Sequence, residues 1–374
     1  MNKLLIFHPA LAPYRVDQFN MLSQLYDLDV VFIFENLWNH KFDQTILLSQ
    51  LQFKFSFLLK GPHIKGRVFR FGILKTIKKI NPDIILGYEY SFTTQYLILL
   101  KRFGLIHQKI GSTIDDSLDI CNHVQSKIRY FARQNSVKYL DYLIVMSRDV
   151  SQYYQNVFNI NENRVIISPI LQKPERLRNN DKELEIIANK YLQEYHLKGK
   201  KVMLFVGRFI PEKALLRFIS NIQFTLQEQE NLVLVLVGDG KERKKIELLV
   251  KKEKLEEKVI LPGRYEGPEL SAWYLCASGF VLPSLSETFG AVVNEALIFG
   301  LTVLCSKYAG ASCLIESGNG LIFDPLDEKK MIEDLNCFLR SIYVLEKIDV
   351  KSRPSLMSDF KNDFNKEWRK LEND

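Results

Sequence analysis

Short apolar runs, each long enough for one buried strand, alternate with helix-length segments along this chain, and the alternation runs through twice. In the first half the strand-like runs are residues 4–7, 30–34, 84–86, 109–113 and 143–146. Helical spacing occupies 16–25, 68–80, 93–103 and 124–140 between and beside them. Residues 168–200 break the pattern with Pro169, Pro174 and the polar run RLRNNDKELE, a linker signal followed by a charged helix. The alternation resumes with strands at 202–206, 232–237, 259–261, 279–282, 302–305 and 321–323. Runs that are apolar throughout belong to strands buried on both faces, and the helices between them are crossovers of a parallel sheet. The sequence therefore predicts an α/β protein of two Rossmann-like domains, 1–170 and 201–350, joined by a linker over 171–200. A chain of 374 residues can bury two cores of ordinary size. A last helix over 355–371 carries Phe360, Phe364, Trp368 and Leu371 on one face. It either finishes the second domain or crosses back to the first.

Composition closes off several classes. No stretch approaches the ~20 apolar residues needed to span a bilayer. The apolar run at the N-terminus is strand-sized and no small-residue cleavage site follows it, so it reads as a buried strand rather than a signal peptide. The five cysteines form no CxxC pair, which argues against a disulfide framework or a zinc site and fits a reducing cytoplasm. Charge is uneven: residues 1–170 carry 20 Lys and Arg against 13 Asp and Glu, whereas residues 171–374 carry 31 of each. The densest part is 54–79, with eight basic residues and no acidic ones, and Phe53, Phe55, Phe57, Phe69 and Phe71 are interleaved with them. That composition suits peripheral contact with anionic headgroups or phosphates. It equally suits a solvated helix face beside core phenylalanines. No recognition motif supports nucleic acid.

The second half gathers groups that suit phosphates and sugars. Gly207 and Arg208 follow a strand, and Lys213 stands just before a helix; a glycine lets backbone approach a ligand and the two cations can reach a diphosphate. Gly238 lies in a glycine turn at the carboxyl end of the next strand, where open parallel sheets bind ligands. The turn lacks GxGxxG spacing. A third segment runs from a strand end at Leu282 through Glu287, Thr288, Phe289 and Gly290 into a helix containing Glu295. Two carboxylates here can accept hydrogen bonds from the hydroxyls of two sugars of one nucleotide-sugar.

Four motifs in order, FVGRFIPEKALLRFI, LVLVGDGKERKKIELL, VILPGRYEGPELSAWYLCASGFVLPSLSETFGAVVNEALIFGLTVL and SGNGLIFDP, resemble the donor domain of GT-B glycosyltransferases of family 4. The resemblance covers about residues 202–324. It implies GT-B architecture, two Rossmann-like domains facing a central cleft, and a retaining transferase that needs no metal or other cofactor. It implies that Arg208 and Lys213 neutralise the donor diphosphate, Glu287 contacts the transferred sugar and Glu295 holds the ribose. Backbone amides of Thr288, Phe289 and Gly290 would face phosphate and sugar, and Arg264 falls where the family's backbone recognises the base. Ala214 stands where the family usually has glycine.

The first half resembles the family less. Its opening loop reads Pro9 to Arg15 without the usual glycines, and the place of a frequent histidine reads Ile110 to Asp116. His107 lies too early and suits a helix end. Tyr14, Arg15 and Asp116 are the acceptor-side candidates, with Asp116 either a base, an acceptor contact or, like Asp115, a helix cap. The expected activity is transfer from a nucleotide-sugar to a glycan or lipid-linked acceptor in bacterial surface polysaccharide synthesis, such as lipopolysaccharide or capsule. The rival readings are a nucleotide-sugar epimerase on the same fold and a non-catalytic sugar-nucleotide-binding protein.

Overall fold

The computed structural model describes residues 1–36, 41–64, 67–123 and 126–372. The chain divides into two compact units, Met1–Gln172 with Asp359–Asp374, and Lys173–Ser358.

Unit 1 is built on a seven-stranded parallel sheet. Its strands are Lys3–His8 (β1), Asp27–Phe32 (β2), Lys54–Phe57 (β3), Ile84–Tyr88 (β4), Lys109–Ile114 (β5), Tyr142–Val145 (β6) and Val165–Ile167 (β7). Their order is β3-β2-β1-β4-β5-β6-β7. Leu4 to Phe7 and Tyr142 to Val145 are all buried, so each strand packs against helices on both faces. The edge strand β3 is exposed along its whole length, and this is why its phenylalanines, alternating with Lys54 and Ser56, do not read as a buried run.

Unit 2 has a six-stranded parallel sheet of Lys201–Val206 (β8), Leu232–Val237 (β9), Val259–Gly263 (β10), Gly279–Leu282 (β11), Thr302–Ser306 (β12) and Gly320–Phe323 (β13). The order is β10-β9-β8-β11-β12-β13. The order reverses between β8 and β11, and ligands of open α/β sheets bind outside the carboxyl ends at such a switch point.

Several boundaries differ from the sequence reading. Residues 173–200 are not a linker: the helix Asp181–Glu194 belongs to unit 2, where Tyr191 stacks on Trp273 with ring centroids 4.6 Å apart. Its polar face had masked Leu184, Ala188, Tyr191 and Leu192, which are buried. Unit 2 also extends past 350, because Arg178 donates to the carbonyls of Val350 at 2.8 Å and Arg353 at 2.7 Å. The helix expected over 68–80 is Ile73–Ile80, entered through Gly72 at φ +97°, with Val68 in a short antiparallel pair. The helix expected over 124–140 is Lys127–Tyr139, while Val124 and Gln125 lie outside the described residues. So does Lys65 of the basic segment, together with the side chain of Arg67.

The last helix is Lys361–Trp368, shorter than its apolar spacing suggests. It belongs to unit 1, with Phe364, Trp368 and Leu371 buried in that core. Tyr26 donates its hydroxyl to the Trp368 carbonyl at 2.6 Å, and the Trp368 indole donates to Ser168 Oγ at 3.0 Å. Among the described residues no helix is long and apolar enough to cross a membrane.

Candidate active site

Three strand ends of unit 2 converge through glycine. The Gly207 amide donates to the Val237 carbonyl at 3.0 Å and the Gly238 amide to the Gly263 carbonyl at 2.8 Å. A methyl group on Gly238 would sit 1.9 Å from the Gly207 carbonyl oxygen, so only glycine fits this approach. Phe209 is buried beneath the same turn, its amide bonded to the Asp239 carbonyl at 2.8 Å. Arg208, between Gly207 and Phe209, therefore projects into solvent from an anchored backbone.

The loop after β11 is fastened on two sides. The Leu285 amide donates to the Glu212 carbonyl at 2.8 Å, which ties it to the short turn Pro211–Lys213. On the other side the Gly310 amide donates to the Glu287 carbonyl at 3.2 Å and the Ala311 amide to the Phe289 carbonyl at 2.6 Å. Phe289 is buried and acts as the loop's apolar anchor, while Thr288 beside it is exposed. These tethers bring Lys213 and Glu287 into an ion pair, although 74 residues separate them. Both side chains are mostly screened from solvent, at 12% and 15% exposure. Burial, and then the Arg208 guanidinium, push the Lys213 ammonium down to about 8, against which the Glu212 carboxylate works.

Gly290, at φ +94° and ψ +60°, turns the chain into the helix Ala291–Ile298. A side chain there would strain the backbone and press on Leu282 and Glu287. With no side chain of its own, Gly290 cannot cap the helix, and the helix's positive end faces the loop of Glu287. Glu295 lies one helical turn further on. Its Oε2 accepts from the Tyr274 hydroxyl at 2.7 Å, and the Tyr274 ring stacks on Phe299 with centroids 5.4 Å apart. Burial and the adjacent Glu295 carboxylate raise the Tyr274 phenol, which keeps it a donor. Tyr274 is absent from the sequence reading. Its signal is a hydroxyl in the apolar last turn Ala272–Leu275 of the helix Gly267–Leu275, where a buried tyrosine needs a polar partner. Arg264 is exposed and paired with Glu266, apart from the Lys213–Glu287 pair.

Ala214 adopts φ +54° and ψ +28°, the left-handed conformation, at the start of the helix Leu215–Glu228. The sequence reading noted only that Ala214 stands where the family usually has glycine. The structure keeps a glycine-type backbone and places an L-residue in it.

Unit 1 has its own polar cavity, of about 110 Å³, at the carboxyl ends of β1, β4 and β5. His8, Tyr14, Arg15, Tyr88, Glu89 and Asp115 line it. Arg15 is buried, pairs with Asp115 and donates to Gln18 Oε1 at 2.5 Å. Burial holds the His8 imidazole neutral, lowering it to about 3, with Arg15 adding to the effect.

Asp116 does not face this cavity's lining as a free base. It is fully buried between Arg129 Nη2 at 2.5 Å and Arg133 Nη2 at 3.1 Å. Burial raises its carboxyl and the two guanidinium groups oppose the shift. Neither Asp115 nor Asp116 caps the following helix, because Ser117 does. The carboxylate that sequence reasoning missed is Glu89, which follows β4 at φ +47°. Its amide donates to the Thr113 carbonyl at 2.7 Å, and its Oε1 accepts the Asp115 amide at 3.0 Å. Burial and the neighbouring Asp116 and Asp115 push it up to about 8. A lone glutamate at the end of a parallel strand was its only signal. Among the described residues no group of three His, Cys, Asp or Glu could hold a metal ion.

Residues 189–348 match the family described as glycosyl transferases group 1. A 2-deoxystreptamine N-acetyl-D-glucosaminyltransferase of Niallia circulans is 29% identical over 165 residues, which is 44% of this chain and 42% of that protein. The chain thus spans less than half the length of that relative. Two solved structures share the fold at TM-score 0.67. One is Anabaena HepE in complex with UDP and glucose, 16% identical over 94% of this chain and 97% of that one. The other is the lipopolysaccharide outer core galactosyltransferase WaaB, 18% identical over 98% and 99%. Likeness over nearly the whole of both units identifies the architecture as GT-B.

Proposed function

From the match of residues 189–348 to the group 1 glycosyl transferases we propose that the chain moves a sugar, with retention of configuration, from a nucleotide-sugar to a glycan or lipid-linked acceptor. The observation that carries the reading is the Lys213–Glu287 pair, assembled by the Leu285–Glu212 backbone bond beside the glycines of β8 and β9. Cleaving the sugar–phosphate bond builds negative charge on the leaving diphosphate and positive charge on the sugar. Arg208, Lys213 and the N-terminus of Ala291–Ile298 supply the compensation for the first. A bound diphosphate takes the Lys213 ammonium from Glu287 and releases that carboxylate to accept from sugar hydroxyls. Glu295, oriented by Tyr274, accepts from the ribose. The backbone of Thr288, Phe289 and Gly290 faces phosphate and sugar, and Arg264 lies by the base. No metal is required, because cationic side chains and helix amides fill its place.

The acceptor belongs to unit 1, where the Glu89 cavity with Tyr14 and Arg15 offers both donors and acceptors to hydroxyl groups. Synthesis of a bacterial surface polysaccharide, at the cytoplasmic face of the membrane with residues 54–79 as a basic contact, is the setting we assign. The lipopolysaccharide transferase among the structural neighbours supports that setting.

A thermal-shift panel of UDP-, GDP- and ADP-sugars tests the donor half. A tight donor at about 100 times its dissociation constant stabilises the protein by ~2.7 kcal/mol. The Lys213→Ala variant loses most of that shift. No shift with any nucleotide-sugar sinks the reading.

A further inference from the structure

The helix Phe92–Arg102 buries Thr93, Leu97, Ile98 and Leu100 against the sheet, yet it carries a second apolar stripe on its outer side. Phe92, Leu99 and Phe103 recur at helical spacing and are exposed, Phe103 at 72%. A surface helix ordinarily spends its apolar residues on one face only. The helix Lys127–Tyr139 lies alongside, tied by Gln95 Nε2 to Ser136 Oγ at 2.9 Å and by Asn135 Nδ2 to Gln95 Oε1 at 2.7 Å. It too turns large side chains outward, with Ile128 and Phe131 at 59% and 71% exposure. On the other flank the Phe69 ring packs edge-on against Tyr96 at 5.5 Å and against Phe71 at 6.0 Å, and Phe71 is itself exposed. Single exposed apolar residues are ordinary, but a run of them across two helices and a loop marks an interaction face.

Charge identifies what covers it. Lys75, Lys78 and Lys79 stand exposed on the helix after Phe71, and Lys127 and Lys138 on the helix of Phe131. These lie in the part of the chain that holds the whole net excess of positive charge. A second copy would meet this face with the same charge and be repelled. An anionic lipid surface offers hydrocarbon to the aromatic rings and headgroup phosphate to the lysines. Both helices, moreover, follow the strands β4 and β5 and so begin at the sheet end where the Glu89 cavity lies. Phe92 and Ile128 sit in their first turns, nearest that cavity.

We propose that unit 1 seats on an anionic bilayer through the outer faces of Phe92–Arg102 and Lys127–Tyr139, together with Phe71 of the basic segment. This rests on the reading of a lipid-linked acceptor and extends the apolar part of the contact beyond residues 54–79. The test is flotation of the full chain with phosphatidylglycerol vesicles and, separately, phosphatidylcholine vesicles at low salt. The protein floats with the first and not the second, and added salt releases it. The triple variant F71S/F103S/F131S binds the anionic vesicles at least about tenfold more weakly for each ring that inserts. K75E/K78E weakens the same binding by about fivefold for each lysine. Unchanged melting temperature and unchanged thermal shift with the UDP-, GDP- and ADP-glucose panel separate loss of docking from damage to the donor site. Wild-type protein left in solution beside phosphatidylglycerol vesicles overturns the proposal. So does a triple variant that floats as well as wild type, or a dimer that the triple substitution dissolves.

Discussion

Lys213 with Glu287 in unit 2, and Asp116 with Arg129 and Arg133 in unit 1, are both charge clusters beside the carboxyl ends of parallel strands. They differ in what surrounds the charges. In unit 2 the backbone is pinned on both sides of the loop, and the polar ends of Lys213, Glu287 and Arg208 remain partly open. In unit 1 the Asp116 carboxylate and the Arg133 guanidinium are at 0% and 1% exposure and are paired with each other. The first arrangement holds charge ready for another molecule, while the second uses charge to hold the fold. Glu89 lies between these extremes: it borders the buried cluster through Arg129, 3.5 Å away, and also lines a cavity.

Substitution breaks the two clusters differently. Asp116→Ala leaves a buried guanidinium unpaired and destabilises the protein by about 3–5 kcal/mol, read by chemical denaturation. Its donor-induced thermal shift survives wherever unit 2 remains folded. Lys213→Ala has the opposite profile: a near-normal melting temperature and turnover lower by about 10²–10³-fold. Because burial lowers the unliganded Lys213 ammonium to about 8, wild-type donor affinity is expected to fall as pH rises through that value, and Lys213→Ala removes this dependence. Equal loss of stability in both variants would erase the distinction.

Smaller effects sharpen it. Tyr274→Phe removes one hydrogen bond to Glu295 and weakens donor binding by about 1 kcal/mol, roughly fivefold, with turnover at saturating donor preserved. Glu89→Gln reports on unit 1 by pH. The Glu89 carboxyl, raised to about 8, binds its proton more tightly folded than unfolded. Its contribution is therefore fully present below about 4.5 and is lost as pH rises through about 8. Wild type consequently loses stability relative to Glu89→Gln between those values, and parallel stability curves would contradict this. Ala214→Gly relieves a left-handed alanine and adds about 0.5–1 kcal/mol, visible as a small rise in melting temperature.

Unit 2 was the more readable half for a physical reason. Its central strands β8, β9 and β11 are buried on both faces and its site residues sit at glycine turns, so burial and backbone geometry both leave marks on the residue types. The helix Asp181–Glu194 escaped because its charged face dominates a short window. In unit 1 the exposed edge strand Lys54–Phe57 lacks a buried run, and the partners of Asp116 lie 13 and 17 residues away on a separate helix. Nothing in the spacing of Glu89 reports a left-handed backbone or a cavity, since both depend on strands β1 and β5 closing around it.

The return of residues 359–372 to unit 1 has a consequence for biosynthesis. Seven strands of unit 1 leave the ribosome first, but the groove that takes Phe364, Trp368 and Leu371 stays unfilled until residues 173–358 have been made. Domains usually mature in the order of their synthesis. Here the later unit holds every residue of its own core first, and the nascent first unit must wait with apolar surface uncovered, so its folding is completed last.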